Sequence, residues 1–238
     1  MNLFKAPYAH GDRLETAGHP LRLAVNPRAR RVSLRVDRVK REVVAIAPTA
    51  RRLSEAVAFA RDKTDWIAAQ LADLPVPARL APGGTLTLFG ETVRLEAGPG
   101  RAKLKDGVLT SPDDAAYADR AIRLIRTEAR RVLTERTAVY AEKLGKPMPN
   151  LAIMDAKGRW GSCKGGPAGK PGSIRYSWRL ALAPFAVADY VAAHECAHLV
   201  EANHGPRFWA VVKDLIGDPA PHRAWLRSEG SRLHAFGR

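Results

Sequence analysis

The chain has 238 residues, 46% hydrophobic and 26% charged, which suits a globular protein of one large domain or two small ones. No run approaches the roughly 20 apolar residues that cross a bilayer, and residues 1–13 lack the apolar centre of a secretory signal, so no membrane role is expected and the cytoplasm is the default location. The formal charge of +15 favours polyanions at long range and admits a nucleic-acid partner, but the excess is spread over both halves rather than gathered in a tail.

Residues 21–48 alternate as strands do, with Leu21, Leu23 and Val25 on one face, then Val32, Leu34 and Val36, then Val43, Val44 and Ile46. They predict a small antiparallel sheet with basic residues on its open face. Ser54 is placed to cap a helix over 53–74, whose stripe runs through Leu53, Val57, Ala60, Thr64, Ile67, Leu71 and Leu74 and ends at Pro75. Pro77, Pro82 and Gly83-Gly84 then mark a connection. Short strands are expected at 86–89 and 93–95, followed by a turn at Asp106-Gly107.

Residues 114–144 carry the longest helical pattern, with Ile122, Ile125, Ala129, Val132, Leu133, Tyr140 and Leu144 on one side, and Gly145 and Pro147 beyond its end. Arg123, Arg126, Arg130 and Arg131 on the other side read as a solvated face rather than a nucleic-acid groove. A soft boundary near 112 separates a β-rich region with one helix, 1–112, from an α+β region, 113–238. Arg159 to Cys163 and Ile174 to Leu180 alternate around a Gly/Pro-rich loop and read as a hairpin. The two cysteines, Cys163 and Cys196, are too few for a disulfide framework and form no CxxC pair, so they read as partly buried thiols.

The chemistry concentrates in residues 189–200. Pro184 suits the first turn of a helix, and no Pro or Gly interrupts the run until Gly205. In a helix His194 and His198 stand about 40° apart and one turn along, so both rings can reach one metal. Glu195, about 60° from His198, can reach a water there without itself ligating. Two neutral imidazoles holding Zn2+ with an open position, and a carboxylate to take a proton, are what metal-assisted hydrolysis needs. A third ligand must come from beyond the helix. His204 leads, six residues on and followed by Gly205-Pro206; Glu201, Asp218 and Glu229 are its rivals.

Tyr190, one turn before His194, either packs or donates to an oxyanion. Asp189 either ends the helix or holds a ligand histidine. Arg159 and Arg175 either contact substrate or make structural ion pairs. The hairpin either covers the metal helix or offers an edge to an extended peptide. Trp160 and Trp178 read as core, and Phe208, Trp209, Val211, Val212, Leu215 and Ile216 as a second helix behind the site. His222 reads as a local terminator.

Taken in order, Arg159-Trp160-Gly161-Ser162-Cys163, Trp178-Arg179-Leu180, Ala183-Pro184, Asp189-Tyr190-Val191, His194-Glu195-Cys196-Ala197-His198 and Asn203-His204 through Phe208-Trp209 resemble the YgjP-like (DUF45) metallopeptidases, which are similar to SprT-type zinc proteases. The resemblance is close over 159–209. It implies a minimal zincin-like fold with an HExxH helix, Zn2+ as cofactor, a protein or peptide substrate, His194, His198 and His204 as ligands and Glu195 as base. Ser177 stands where the family usually has Asn, and the loop between Cys163 and Ser173 is enlarged; both departures lie outside the ligand set. The alternative from the charge is a nucleic-acid-associated protein with structural zinc, or a DNA-recruited protease. An amidase would share the metal chemistry.

Overall fold

A computed structural model of the chain describes residues 7–37, 40–72, 80–156, 158–167 and 170–237. The fold is α+β, in two compact units within residues 1–77 and 78–237.

The first unit is a four-stranded sheet with two helices. β1 (Arg13–Thr16), β2 (His19–Val25), β3 (Ser33–Asp37) and β4 (Glu42–Ala47) lie in the order β1-β2-β4-β3. The sheet is mixed rather than antiparallel as expected, because β4 enters between β2 and β3 and runs parallel to β2. That central place explains why Val43, Val44, Ala45 and Ala47 are all buried, where an edge strand would alternate. The single helix expected over 53–74 is two, α1 (Leu53–Asp62) and α2 (Thr64–Ala72). The break falls at Lys63, whose N–H is shared between the Phe59 and Ala60 carbonyls while the Thr64 hydroxyl donates to the Arg61 carbonyl. Ser54 does not cap: α1 starts at Leu53 with Arg52 in the capping place and no side-chain cap bond. Leu74, Pro75 and Pro77 lie outside the described residues.

The second unit opens with β5 (Thr85–Leu88), β6 (Glu91–Ala97), β7 (Lys103–Lys105) and β8 (Val108–Ser111), ordered β5-β6-β8-β7. Asp106 and Gly107, with φ of 49° and 72°, make the tight β7–β8 turn that the sequence places there. Although these strands precede residue 112, Leu86, Leu88, Val93, Leu95 and Leu109 share one core with α3 (Tyr117–Lys143), so they pack with the second unit. Ile125, Ala129, Val132, Leu133 and Tyr140 form the buried stripe of α3. The helix ends with Gly145 at φ 61°, where Lys146 N–H reaches back to the Ala141 carbonyl and Gly145 N–H to that of Glu142. Its arginines are indeed a solvated face: Arg131 pairs with Glu128 and Glu135, and Arg126 with Asp155.

β9 (Asn150–Met154), β10 (Gly161–Lys164) and β11 (Ser173–Ser177) form a three-stranded sheet ordered β10-β11-β9. The expected hairpin is β10–β11. β9, parallel to β11, was not foreseen, and residues 178–182 form a 3-10 turn instead of extending the strand. Then come α4 (Phe185–Ala197), α5 (Pro206–Ile216) and α6 (Ala220–Ala235). α4 is wedged among α3, α5, α6 and β10, and buries nine of its 13 residues. Its first N–H donates to the carbonyl of Phe89 in the β5–β6 turn, which in turn is held by the bond from Phe89 N–H to the Ala181 carbonyl.

Candidate metal centre

His194 and Glu195 stand in the last turn of α4, and His198 is the residue that ends it. The chain turns through N–H bonds from Leu199, Val200 and Glu201 to the carbonyls of Cys196 and Ala197, and restarts at Pro206, a residue suited to a helix's first position. That reversal brings His204 back over the helix. One ring nitrogen from each of His194, His198 and His204 lies within 4.8 Å of the others, and His194 Nε2 is 3.1 Å from His204 Nε2. Two nitrogens bound at about 2.05 Å around a tetrahedral ion would lie about 3.3 Å apart, so the donor set fits a zinc-sized cation.

The rings are oriented by what lies behind them. His198 Nδ1 is 3.0 Å from the Glu201 carbonyl, which suits a proton on Nδ1 and leaves Nε2 with its lone pair outward. The Tyr190 hydroxyl lies 3.4 Å from His194 Nδ1. Phe208, fully buried in α5, has its ring 4.9, 4.5 and 4.7 Å from the rings of His194, His198 and His204, an apolar floor under all three. Burial first, then the charges of His198, His204 and Arg223, lowers the His194 pKa to about 4, so its ring is neutral at ordinary pH. Burial likewise lowers His198.

Glu195 is 6% exposed, and burial alone raises its carboxyl to about 7. It lies against β10: a Cβ on Gly161 would fall 2.4 Å from Glu195 Oε1 and 2.6 Å from its Cδ. Only glycine lets the strand approach the carboxylate this closely, which is a common reason for glycine inside a strand. β10 is an edge strand of its sheet and packs against α4, with Gly161 facing the carboxylate.

Other candidates separate. The Tyr190 ring is buried and stacks on His222 at 5.7 Å, and burial raises its phenol, which stays protonated. Asp189 does not hold a histidine: it takes Arg136 of α3 at 2.6 Å and so ties α3 to α4. Arg175 is exposed, and its register partner is Ser162; since Gly161 faces Glu195, alternation turns Ser162 and Arg175 to the opposite face of the sheet. Arg159 is exposed in the segment just before β10, and neither arginine makes an ion pair among the described residues. Of the rival ligands, Glu201 serves through its carbonyl, Asp218 accepts from the Ala220 N–H, and Glu229 lies 3.9 Å from Arg232. Trp178 is core, and Trp160 packs at the edge of it against His234. Cys196 is buried and Cys163 partly so; both are free thiols that burial raises to about 12.

The sequence reading passed over Gly161, Phe208 as a floor, and Arg223 in the first turn of α6, and it took His222, which stacks on Tyr190, for a local terminator. Only Gly161 carried a local signal, a glycine within a strand pattern.

No curated protein matches the chain, and no solved structure does. A family model for the YgjP-like, metallopeptidase domain matches residues 30–229, which takes in β3, β4, α1 and α2 of the first unit, the three histidines and most of α6. The chain belongs to the YgjP-like metallopeptidase family.

Proposed function

We propose that the protein is a zinc-dependent peptidase in which His194, His198 and His204 hold the metal and Glu195 is the general base. The observation that carries this reading is the convergence of three imidazole nitrogens within 4.8 Å beside a carboxylate that burial keeps near neutrality. Zinc held there would supply a Lewis acid for the scissile carbonyl and make water easier to deprotonate at neutral pH.

The chain's own groups supply the rest. Glu195, ionised, takes a proton from the attacking water and passes it to the leaving amine; a base with pKa near the working pH is efficient in both directions. Its fixed place against Gly161 keeps the carboxylate aligned with the β10 edge. An extended peptide added to that edge would present its backbone to Glu195, with side chains alternately toward α4 and away. Tyr190, protonated and within reach of His194, steadies that ring's orientation and is a phenol placed to donate to a developing oxyanion.

The test is zinc content by elemental analysis beside hydrolysis of unstructured protein such as casein. About one zinc per wild-type chain, lost in His204→Ala, together with a Glu195→Gln protein that keeps zinc but not hydrolysis, is the expected set. A Glu195→Gln variant that still hydrolyses casein sinks the assignment of the base. A second reading rests on the β2–β3 loop, where Arg28, Arg30 and Arg31 are all exposed and make no ion pair among the described residues. These suit phosphate contacts, and salt-dependent DNA binding that Arg→Gln changes there remove would make the protein a recruited peptidase.

A further inference from the structure

Four arginines of the second unit lie over aromatic rings. Arg136 lies over Tyr140 and Phe185, Arg126 and Arg179 lie over Trp178, and Arg223 lies over Trp209. The first three each meet a carboxylate, Arg136 that of Asp189 and both others that of Asp155. Arg223 has no carboxylate partner among the described residues. It is exposed in the first turn of α6, and among the described residues its side chain makes no ion pair and no hydrogen bond.

Its position is specific. The guanidinium carbon lies 4.6 Å from the Trp209 ring centre, and that ring is 5.9 Å from both His194 and His204. On the other side His222 stacks on Tyr190, whose hydroxyl reaches His194. The start of α6 therefore meets the histidine face at two points. A guanidinium laid on an indole has one face shielded and its N–H fork free at the edge, an arrangement that takes a carboxylate in two parallel hydrogen bonds.

We propose that Arg223 is a specificity-determining residue that binds a carboxylate of the substrate, so that the site prefers peptides with an acidic group close to the bond held at His194, His198 and His204. The inference rests on the peptidase reading and names its substrate class. The carboxylate has two sources, an Asp or Glu side chain or a free C terminus, and Arg223 would bind either by the same chemistry.

Full-length, zinc-loaded Glu195→Gln protein, which binds without turnover, is titrated calorimetrically with alanine-based octapeptides. Each carries Glu or Gln at one of successive positions and has a free or amidated C terminus. At least one acidic peptide should bind about tenfold tighter than its neutral counterpart, as a charge-assisted contact gives. Arg223→Gln should abolish that preference, whereas Arg227→Gln, the same charge change one turn along α6, should leave it. Whether the Glu/Gln pair or the acid/amide pair carries the preference identifies the source. Equal binding of acidic and neutral peptides, or a preference that survives Arg223→Gln at unchanged zinc content, overturns the role of Arg223 alone. Failure of every peptide to bind, with no casein hydrolysis by the wild type, overturns the peptidase reading and this inference with it.

Discussion

Gly161→Ala isolates the contact between β10 and the carboxylate. The added Cβ would sit 2.4 Å from Glu195 Oε1 and 2.6 Å from Cγ and Cδ, where an ordinary carbon–oxygen contact needs roughly 3.4 Å. The backbone of β10 is held by its pairing with β11, so Glu195, the flexible partner, has to retreat by about 1 Å. Misplacing a reacting group by that much costs about 100-fold in rate, equal to about 2.7 kcal/mol of barrier. The overpacking itself should destabilise the fold by about 1–3 kcal/mol, leaving the protein folded at room temperature. The three heavy atoms nearest the new methyl all belong to Glu195, so zinc content should not change. The assay is casein hydrolysis with zinc stoichiometry and melting temperature measured on the same preparation. A Gly161→Ala protein that cleaves at the wild-type rate refutes the argument, because Glu195 then either is not held by the strand or is not the base. Loss of zinc together with activity refutes it as well, since the damage would have travelled through the ligands.

Other expectations follow from the same geometry. Phe208→Ala should remove the floor under three rings, costing about 3–5 kcal/mol of stability and weakening zinc retention against a chelator; calorimetry and a zinc-competition titration check both. Asp189→Asn should cost about 2 kcal/mol by leaving Arg136 half-buried and unpaired, yet keep full zinc content, which a ligand-orienting carboxylate would not allow. In the metal-free protein the Glu195 carboxyl is raised from 4.5 to about 7, so the folded form holds its proton longer than the unfolded form. That contribution is fully present below about pH 4.5 and is lost as pH rises through 7, about 3 kcal/mol in all, and Glu195→Gln should flatten the loss in melting curves at pH 5 and pH 8.

What the sequence disclosed follows from the range of the signals. α3 and α4 were legible because a three-four stripe, or an unbroken apolar run with HExxH in it, is local, and so were the Asp106-Gly107 turn and the reversal at Gly205-Pro206. β9 was hidden. It is five residues long with none buried, and its partner, β11, lies more than 20 residues away in a parallel pairing that no turn announces. The insertion of β4 between β2 and β3 was equally silent, since alternation gives a strand its faces but not its neighbours. In the site, the pairing of His194 with His198 was written in the spacing of one helix. The partners of Tyr190 and Asp189 were not, because His222 and Arg136 arrive from other helices, 32 and 53 residues away. Arg175 shows the converse failure: being near the motif in sequence did not decide which face of the sheet it would take.

The burial of α4 on every side bears on where the metal comes from. A helix gripped by α3, α5, α6 and β10 is in place because the core requires it, and two of the three imidazoles come with it. Small zinc domains borrow their stability from the ion and collapse without it; here the seat is cast before its occupant arrives. Chelation should therefore yield a folded, empty protein that can be refilled. Since His204 is the exposed member of the trio, the ion would enter and leave on its side, past one short loop. In a site open on that side, the ion held would be decided by what the surroundings supply as much as by the histidines themselves.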